Sequence, residues 1–292
     1  MITRSHYKHL SEKWRKRHLE LQKELWSKHK KSLDWLSRNS RQLVAGSLGG
    51  LMLLSSSTFD IPQSIINTSN ASESSHPNID KKSFLISDLS NVLPKDIRPL
   101  TLDEERKVSE ILTRTFGVKV TGEMQGKSLN RSYGLIGQEQ HLSRYPGDTL
   151  YSHFDSEEEA KNYWSQGMAP GRGAWGYFSH SKESLTEEDK LREKYYIAVQ
   201  TFLAPGFYNN VKEYVDFFKY RKMLVVNPNN GMSIVTDIAD AGPAEWTGKH
   251  LGGSPEVMRY LERVDGALKG GVLYFFIDDP NDNIPLGPIK PV

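Results

Sequence analysis

MLVVNPNNGMSIVTDIADAGP, residues 223–243, is the stretch whose reading decides the fold. Met223–Val226 and Ser233–Ala239 are both of strand length and rich in β-branched residues. Asn229-Asn230-Gly231 stands between them and predicts a tight hairpin turn. In the second run Ile234, Thr236, Ile238 and Asp240 share one parity, while Val235, Asp237 and Ala239 share the other. A regular strand would place Asp240 on the Ile234 and Ile238 face, at the mouth of a closed sheet, and turn Asp237 away.

Working outward, Tyr195–Leu203 and Val272–Ile277 read as further strands, and Gly167, Gly171, Gly173 and Gly176 surround Trp175, Tyr177 and Phe178. Two helices interrupt them. Val211, Tyr214, Val215 and Phe218 have helical spacing, and Ser254-Pro255 opens a short helix through Leu261 with proline at its first position. Short strands with interposed helices predict a small barrel over residues 167–292. Upstream, residues 100–166 read as a helical and loop-rich extension. Thr101 and Glu104 form a capping box, Val108, Ile111, Leu112 and Phe116 share one face, and Gly117 ends that helix. A second helix starts at Ser156, with Ala160, Tyr163 and Trp164 before Gly167, while Gly122–Asp148 reads as loop with a turn at Tyr145-Pro146-Gly147-Asp148.

The N-terminal part lives in different surroundings. The 292 residues carry a net charge of +2, but residues 1–42 hold 12 Lys and Arg against 4 Asp and Glu, so the remainder is acidic. Residues 1–42 have a helical period with a wide cationic face. Residues 43–59 carry no charge, and their apolar part, LVAGSLGGLMLL, is 12 residues long. A spanning helix needs about 20 apolar residues and a signal-peptide core about 7 to 15, so the segment reads as a signal-like or short anchor segment. Positive charge just before it favours export with the N-terminus inside. A soluble amphipathic helix, with Leu43–Leu54 in a core, is the alternative. Residues 60–99 read as a flexible linker, most clearly the Ser- and Asn-rich Ser55–Asp80. There is no cysteine, which excludes disulfides, thiolate metal sites and thiol nucleophiles. No phosphate-binding glycine loop, H-E-x-x-H or G-x-S-x-G is present, and His141, His153 and His180 are too scattered to indicate a metal site. The expectation is therefore no metal, no cofactor and no nucleic acid.

From Trp175 to Asp278 the order of signals resembles the double-psi β-barrel domain of rare lipoprotein A, a septal lytic transglycosylase, and of expansins. Gly173-Ala174-Trp175-Gly176-Tyr177 is similar to the opening of that domain, Ala198–Pro205 to its second strand, and Asp240-Ala241-Gly242-Pro243 to its D-R-G-P, whose aspartate is functional. Leu251–Leu261 takes the place of the family's short helix and Gly270–Ile277 that of its closing strand. The resemblance covers about the last 120 residues and implies an α+β chain with a six-stranded double-psi barrel at the C-terminus. The departures bear on activity. The arginine after the aspartate is Ala241 here, the family's histidine falls at Val199 or Gln200, and Gly206–Lys222 is extra.

The resemblance implies a cell-envelope protein, outside the cytoplasm, that is held at the membrane by residues 43–59 or secreted after cleavage, and that binds cell-wall polysaccharide. Asp240 is the catalytic candidate: a single carboxyl group can protonate a glycosidic oxygen and then take a proton from the sugar's 6-hydroxyl, and partial burial would raise its pKa toward that task. An aspartate before Ala-Gly-Pro can equally serve the turn by accepting backbone N–H groups. Asp237 and Asp240, on opposite faces, are a poor pair for flanking one bond at about 5 to 9.5 Å. Sugars stack on aromatic faces and need polar partners for their hydroxyls, which makes Trp246, Glu245, Lys249 and His250 a candidate glycan rim, with Trp175 and Tyr177 as either platform or core. Three functions stay open: a glycan-binding module, an active lytic transglycosylase, and a noncatalytic scaffold that uses the aromatic Gly206–Tyr220 insertion.

Overall fold

A computed structural model describes residues 81–263 and 269–292; the basic segment 1–42, the segment 43–59 and the linker up to Asp80 lie outside the described residues. The helices are α1 (Lys81–Val92), α2 (Leu102–Phe116), α3 (Leu150–His153), α4 (Glu157–Tyr163), α5 (Glu187–Lys194), α6 (Val211–Phe218) and α7 (Pro255–Tyr260). The strands are β1 (Val120–Thr121), β2 (Glu123–Met124), β3 (Lys127–Ser128), β4 (Tyr133–Gln138), β5 (Tyr196–Val199), β6 (Lys222–Val226), β7 (Ser233–Ala241), β8 (Leu251–Gly253), β9 (Lys269–Ile277) and β10 (Gly287–Ile289).

The chain is α+β, built on a closed six-stranded mixed barrel. Around it the strands run β9, β4, β8, β5, β7 and β6, and β6 returns to β9. The β4–β8 and β5–β7 pairs are parallel; β4–β9, β5–β8, β6–β7 and β6–β9 are antiparallel. Exchanging β4 with β7, β5 with β8 and β6 with β9 leaves this list of pairs unchanged. Two consecutive three-strand halves are thus interleaved, an arrangement compatible with a double-psi barrel.

Strand alternation separates two cores. Val272, Tyr274 and Phe276 of β9, Met223 and Val225 of β6, and Ile234 and Ile238 of β7 point inward. There they meet Ile136, Ile197, Val199 and Leu251 from the other three strands. Phe217 and Phe218 of α6 join this core, with Val257 and Met258 of α7. The opposite parity, Leu273, Phe275, Ile277, Leu224, Val226 and Val235, forms an outer core under α1 and α2. Helix α2 follows its sequence signals: Thr101 Oγ1 accepts from the Glu104 N–H, Glu104 accepts from the Thr101 N–H at 2.8 Å, and Gly117 closes the helix at φ 67°. The predicted hairpin is present between β6 and β7, with Gly231 at φ 68° and its N–H donating to Asn227 O at 2.8 Å.

Four corrections to the sequence reading follow. The barrel does not begin at Gly167: its first strand, β4, lies inside the expected loop Gly122–Asp148. Leu251–Gly253, assigned to a short helix, is strand β8, and the helix starts only at Pro255. The expected linker 60–99 contains helix α1, which seats Leu85 and Leu89 in the outer core. Helix α5 was not foreseen; it opens with a capping box between Thr186 and Asp189. Both missed strands are interrupted by glycine where other side chains cross the sheet closely. A Cβ on Gly137 would stand 2.2 Å from Lys249 Cδ, and one on Gly252 would stand 2.2 Å from Glu139 Cγ. Among the described residues no helix is long and apolar enough to cross a membrane.

Candidate functional site

Asp240 stands next to last in β7, beside a bulge that overturns its expected orientation. Ile197 pairs with Ile238, but the next residue, Ala198, pairs with Asp240, so Ala239 is passed over. The regular alternation stops there, and Asp240 takes the face of Ala198, outside the barrel, rather than that of Ile234 and Ile238. The loop after Gly173 crosses this strand end. Asp240 Oδ1 accepts from the Ala174 N–H at 2.6 Å and from its own neighbour Ala241 N–H at 2.8 Å. Burial pushes the Asp240 carboxyl up, and these two N–H groups pull it partly back. The oxygen Oδ1 therefore does the structural work foreseen for the turn. Oδ2 has no hydrogen bond among the described residues.

The remaining candidates divide into separate neighbourhoods. Trp175 is half-buried against the inner core, and its indole N–H donates to Ile238 O at 2.9 Å, so it braces the strand end. Tyr177 is partly exposed, with the Arg172 guanidinium 5.7 Å from its ring centre. Glu245 and Trp246 lie on a 3-10 turn, and Trp246 is 89% exposed. A groove of about 470 Å³ opens beside it, lined by Gln138, Glu139, Gln140, Gln166, Trp246 and Lys249 together with Thr247 and Lys269. Lys249 crosses to Gln138 O at 3.0 Å and pairs with Glu139. Asp240 does not line this groove.

His250 faces another way. Its Nδ1 accepts from the Leu135 N–H at 2.8 Å, and Arg131 Nη1 lies 2.9 Å from Nε2. Burial first, and then the Arg131 charge, lower its pKa and hold it neutral. It sits on the β4 side of β8, with β5 between it and β7; at about 4.8 Å per strand it does not reach Asp240. Of the two residues at the place of the resembled family's histidine, Val199 lies in the inner core, and Gln200 is buried and donates to Pro243 O and Lys249 O, tying the loop 243–249 to the barrel end. Asp237 points outward, as expected. Both its oxygens are buried without a hydrogen-bond partner, and burial raises its pKa well above the usual carboxylate range. In the Gly206–Tyr220 insertion, Phe207, Tyr214, Phe217 and Phe218 pack on the inner core, leaving Tyr208 and Val211 exposed.

A second cluster was not legible in the sequence. The excursion between β4 and β5 brings His141, His153 and Glu193 together, all buried, with one ligand atom from each within 4.8 Å of the others. His153 Nδ1 lies 2.9 Å from Asp148 Oδ2, and its Nε2 lies 3.1 Å from Glu193 Oε2. Asp148 also accepts from the Arg144 backbone N–H at 3.0 Å, and the Leu142 N–H donates to Glu193 Oε1 at 2.9 Å. The three residues are 12 and 40 positions apart in sequence, on a loop, the end of α3 and the last turn of α5, so no spacing rule announces them.

The electrostatics of this cluster set a pH dependence of stability, to be read in buffer containing a chelator. Burial alone would lower the His153 pKa, but hydrogen bonds to Asp148 and Glu193 outweigh it and raise the value from 6.5 to about 9. A histidine whose pKa rises on folding adds stability that is complete below its unfolded value and is lost as pH climbs through the folded one. The denaturant midpoint should therefore fall between about pH 6.5 and 9, and His153→Gln should flatten that part of the curve. A wild-type midpoint that rises across the interval contradicts the assignment.

No protein-family model matches this chain, and none of the curated proteins matches it.

Proposed function

We propose that the protein is an extracytoplasmic cell-envelope protein whose barrel module binds cell-wall glycan. The observation that carries this reading is the groove beside Trp246: a nearly fully exposed indole at the edge of a cleft lined by three glutamine amides, a glutamate and two lysines. An exposed aromatic face supplies stacking area for a sugar ring, and planar amides and charged groups supply donors and acceptors for its hydroxyls. The resemblance to the rare lipoprotein A and expansin barrel gives the ligand class, and the interleaved mixed barrel is compatible with that domain. Residues 43–59, read as an anchor or export segment, give the location.

Binding without cleavage is the better-supported form. The family's histidine falls at Val199, which is packed in the inner core, or at Gln200, which is engaged with two carbonyls, and the catalytic candidate Asp240 stands apart from the groove. One observation favours the lytic transglycosylase reading: Asp240 has a free Oδ2 and a pKa raised by burial, as a general acid requires. Incubating the full chain with purified cell-wall glycan separates the two. Co-sedimentation without new products supports the module, and anhydro-sugar products that vanish in Asp240→Asn support the enzyme. If the protein neither sediments with glycan nor releases products, both fail. Fractionation that leaves the intact chain in the cytosol refutes the envelope location.

A further inference from the structure

We infer that His141, His153 and Glu193 form a binding site for one divalent metal ion of the zinc class, which clamps the excursion between β4 and β5. This goes beyond glycan binding and does not depend on it.

The first support is the state of His141. It is completely buried, yet neither ring nitrogen has a hydrogen-bond partner, and Nδ1 points toward Glu193 Oε1 at 3.5 Å without hydrogen-bonding geometry. Leaving a buried polar group unsatisfied costs about 1–3 kcal/mol, so buried histidines ordinarily find a partner. A metal ion supplies one.

The second is geometry. Ligand atoms about 2.0–2.2 Å from a tetrahedral zinc ion stand about 3.3–3.6 Å from one another. The His153 Nε2 to Glu193 Oε2 separation is 3.1 Å, and that from His141 Nδ1 to the other carboxylate oxygen, Glu193 Oε1, is 3.5 Å. One atom from each residue lies within 4.8 Å of the others, so a bound ion would draw the widest separation in by about 1 Å. The third is the outer shell. Asp148 engages His153 through Nδ1, which turns Nε2 toward Glu193 and His141. A carboxylate on the far nitrogen of a metal-binding imidazole fixes its tautomer and orientation in just this manner. With two imidazoles, a carboxylate and no cysteine, the donor set suits zinc rather than calcium or magnesium, which take oxygen ligands.

The fold gives the ion a task. Residues 139–195 bury only two large apolar side chains, Leu142 and Tyr145, but five polar ones: His141, Arg144, Asp148, His153 and Glu193. So little apolar burial leaves the excursion short of cohesion, and an ion held by a loop, by the end of α3 and by α5 would join its three parts. Three protein ligands leave one tetrahedral position for a water molecule or another group.

The test uses the full chain, stripped with a chelator and titrated with zinc sulfate alone, following bound metal per chain and Tm. The expected result is one ion per chain and a Tm that climbs with free zinc, as for any ligand of the native state. His141→Gln should weaken binding at least tenfold, and Asp148→Asn by about 10- to 100-fold through the outer shell. His180→Gln, at an exposed histidine outside the cluster, should leave binding unchanged. No bound zinc at tenfold molar excess, or affinity unaltered in His141→Gln, overturns the inference. Should His141→Gln fail to fold, X-ray absorption of the cobalt-loaded wild type decides: two imidazole ligands support the site, and none refutes it.

Discussion

Phe276→Ala should cost about 3–5 kcal/mol of unfolding free energy, the range for truncating a fully buried phenylalanine. Phe276 points into the barrel from β9 and is 1% exposed. Its ring lies 5.6 Å from that of Phe217 and 6.3 Å from that of Phe218, so it joins the closing strand to the helix that packs on the inner core. Both the strands around it and α6 hold their places through neighbours of their own, so the space left by the ring collapses only in part. Guanidinium denaturation of wild type and variant reads the difference as a shift in midpoint. Phe84, exposed on α1, is the control, and Phe84→Ala should stay within about 0.5 kcal/mol. Equal effects at the two positions would mean that the inner core is wrongly placed.

The second large effect is expected at Asn227, in the turn of the deciding hairpin. The side chain is buried, and each of its polar atoms is engaged. Oδ1 accepts from the Asn229 N–H at 3.0 Å and from Arg263 Nη2 at 2.7 Å, while Nδ2 donates to Leu261 O at 2.8 Å. It therefore fastens the β6–β7 turn to the end of α7, across the join between the two halves of the barrel. Asn227→Ala removes three hydrogen bonds, one of them to a buried guanidinium. Neutral bonds contribute about 1 kcal/mol each and charged ones about 1.5–3, so a loss of about 2–4 kcal/mol is expected after partial relaxation. Asn229→Ala keeps the backbone N–H that Asn227 uses and should cost far less. Thermal or chemical denaturation of the pair checks the ordering.

Much of the barrel could be read from residues because its later strands are apolar and β-branched, with turn chemistry between them. Met223–Val226, Ser233–Ala239 and Val272–Ile277 lie in strands as expected, and the Asn229-Asn230-Gly231 turn joins the first two. The strands that escaped, Tyr133–Gln138 and Leu251–Gly253, contain two glycines each; the first was expected as loop and the second as part of a short helix. Two of those glycines, Gly137 and Gly252, answer a tertiary demand, the passage of Lys249 and Glu139 close over the sheet, and a local pattern cannot show it. Helix α1 was hidden for another reason: Leu85 and Leu89 are its only buried residues, and a stripe so narrow does not stand out from a polar linker.

The candidate site was legible in its parts but not in its arrangement. Trp246 is as exposed as a ligand platform requires, and Trp175 proved to brace the core. Parity alone put Asp240 inside the barrel; one passed-over residue at Ala239 put it outside, since a bulge shifts every side chain after it. His141, His153 and Glu193 left no trace at all, because their meeting depends on how three short elements of a long excursion fold back against β5. Proximity of that kind belongs to tertiary structure.

Glycan recognition beside Trp246 is tested most directly by calorimetric titration of the full chain with soluble glycan strands prepared from cell walls. Saturable binding is predicted for the wild type, weakened at least tenfold in Trp246→Ala and little changed in Tyr208→Ala, an exposed aromatic on the α6 insertion. Absence of binding at millimolar glycan, or equal affinity in wild type and Trp246→Ala, would contradict the account.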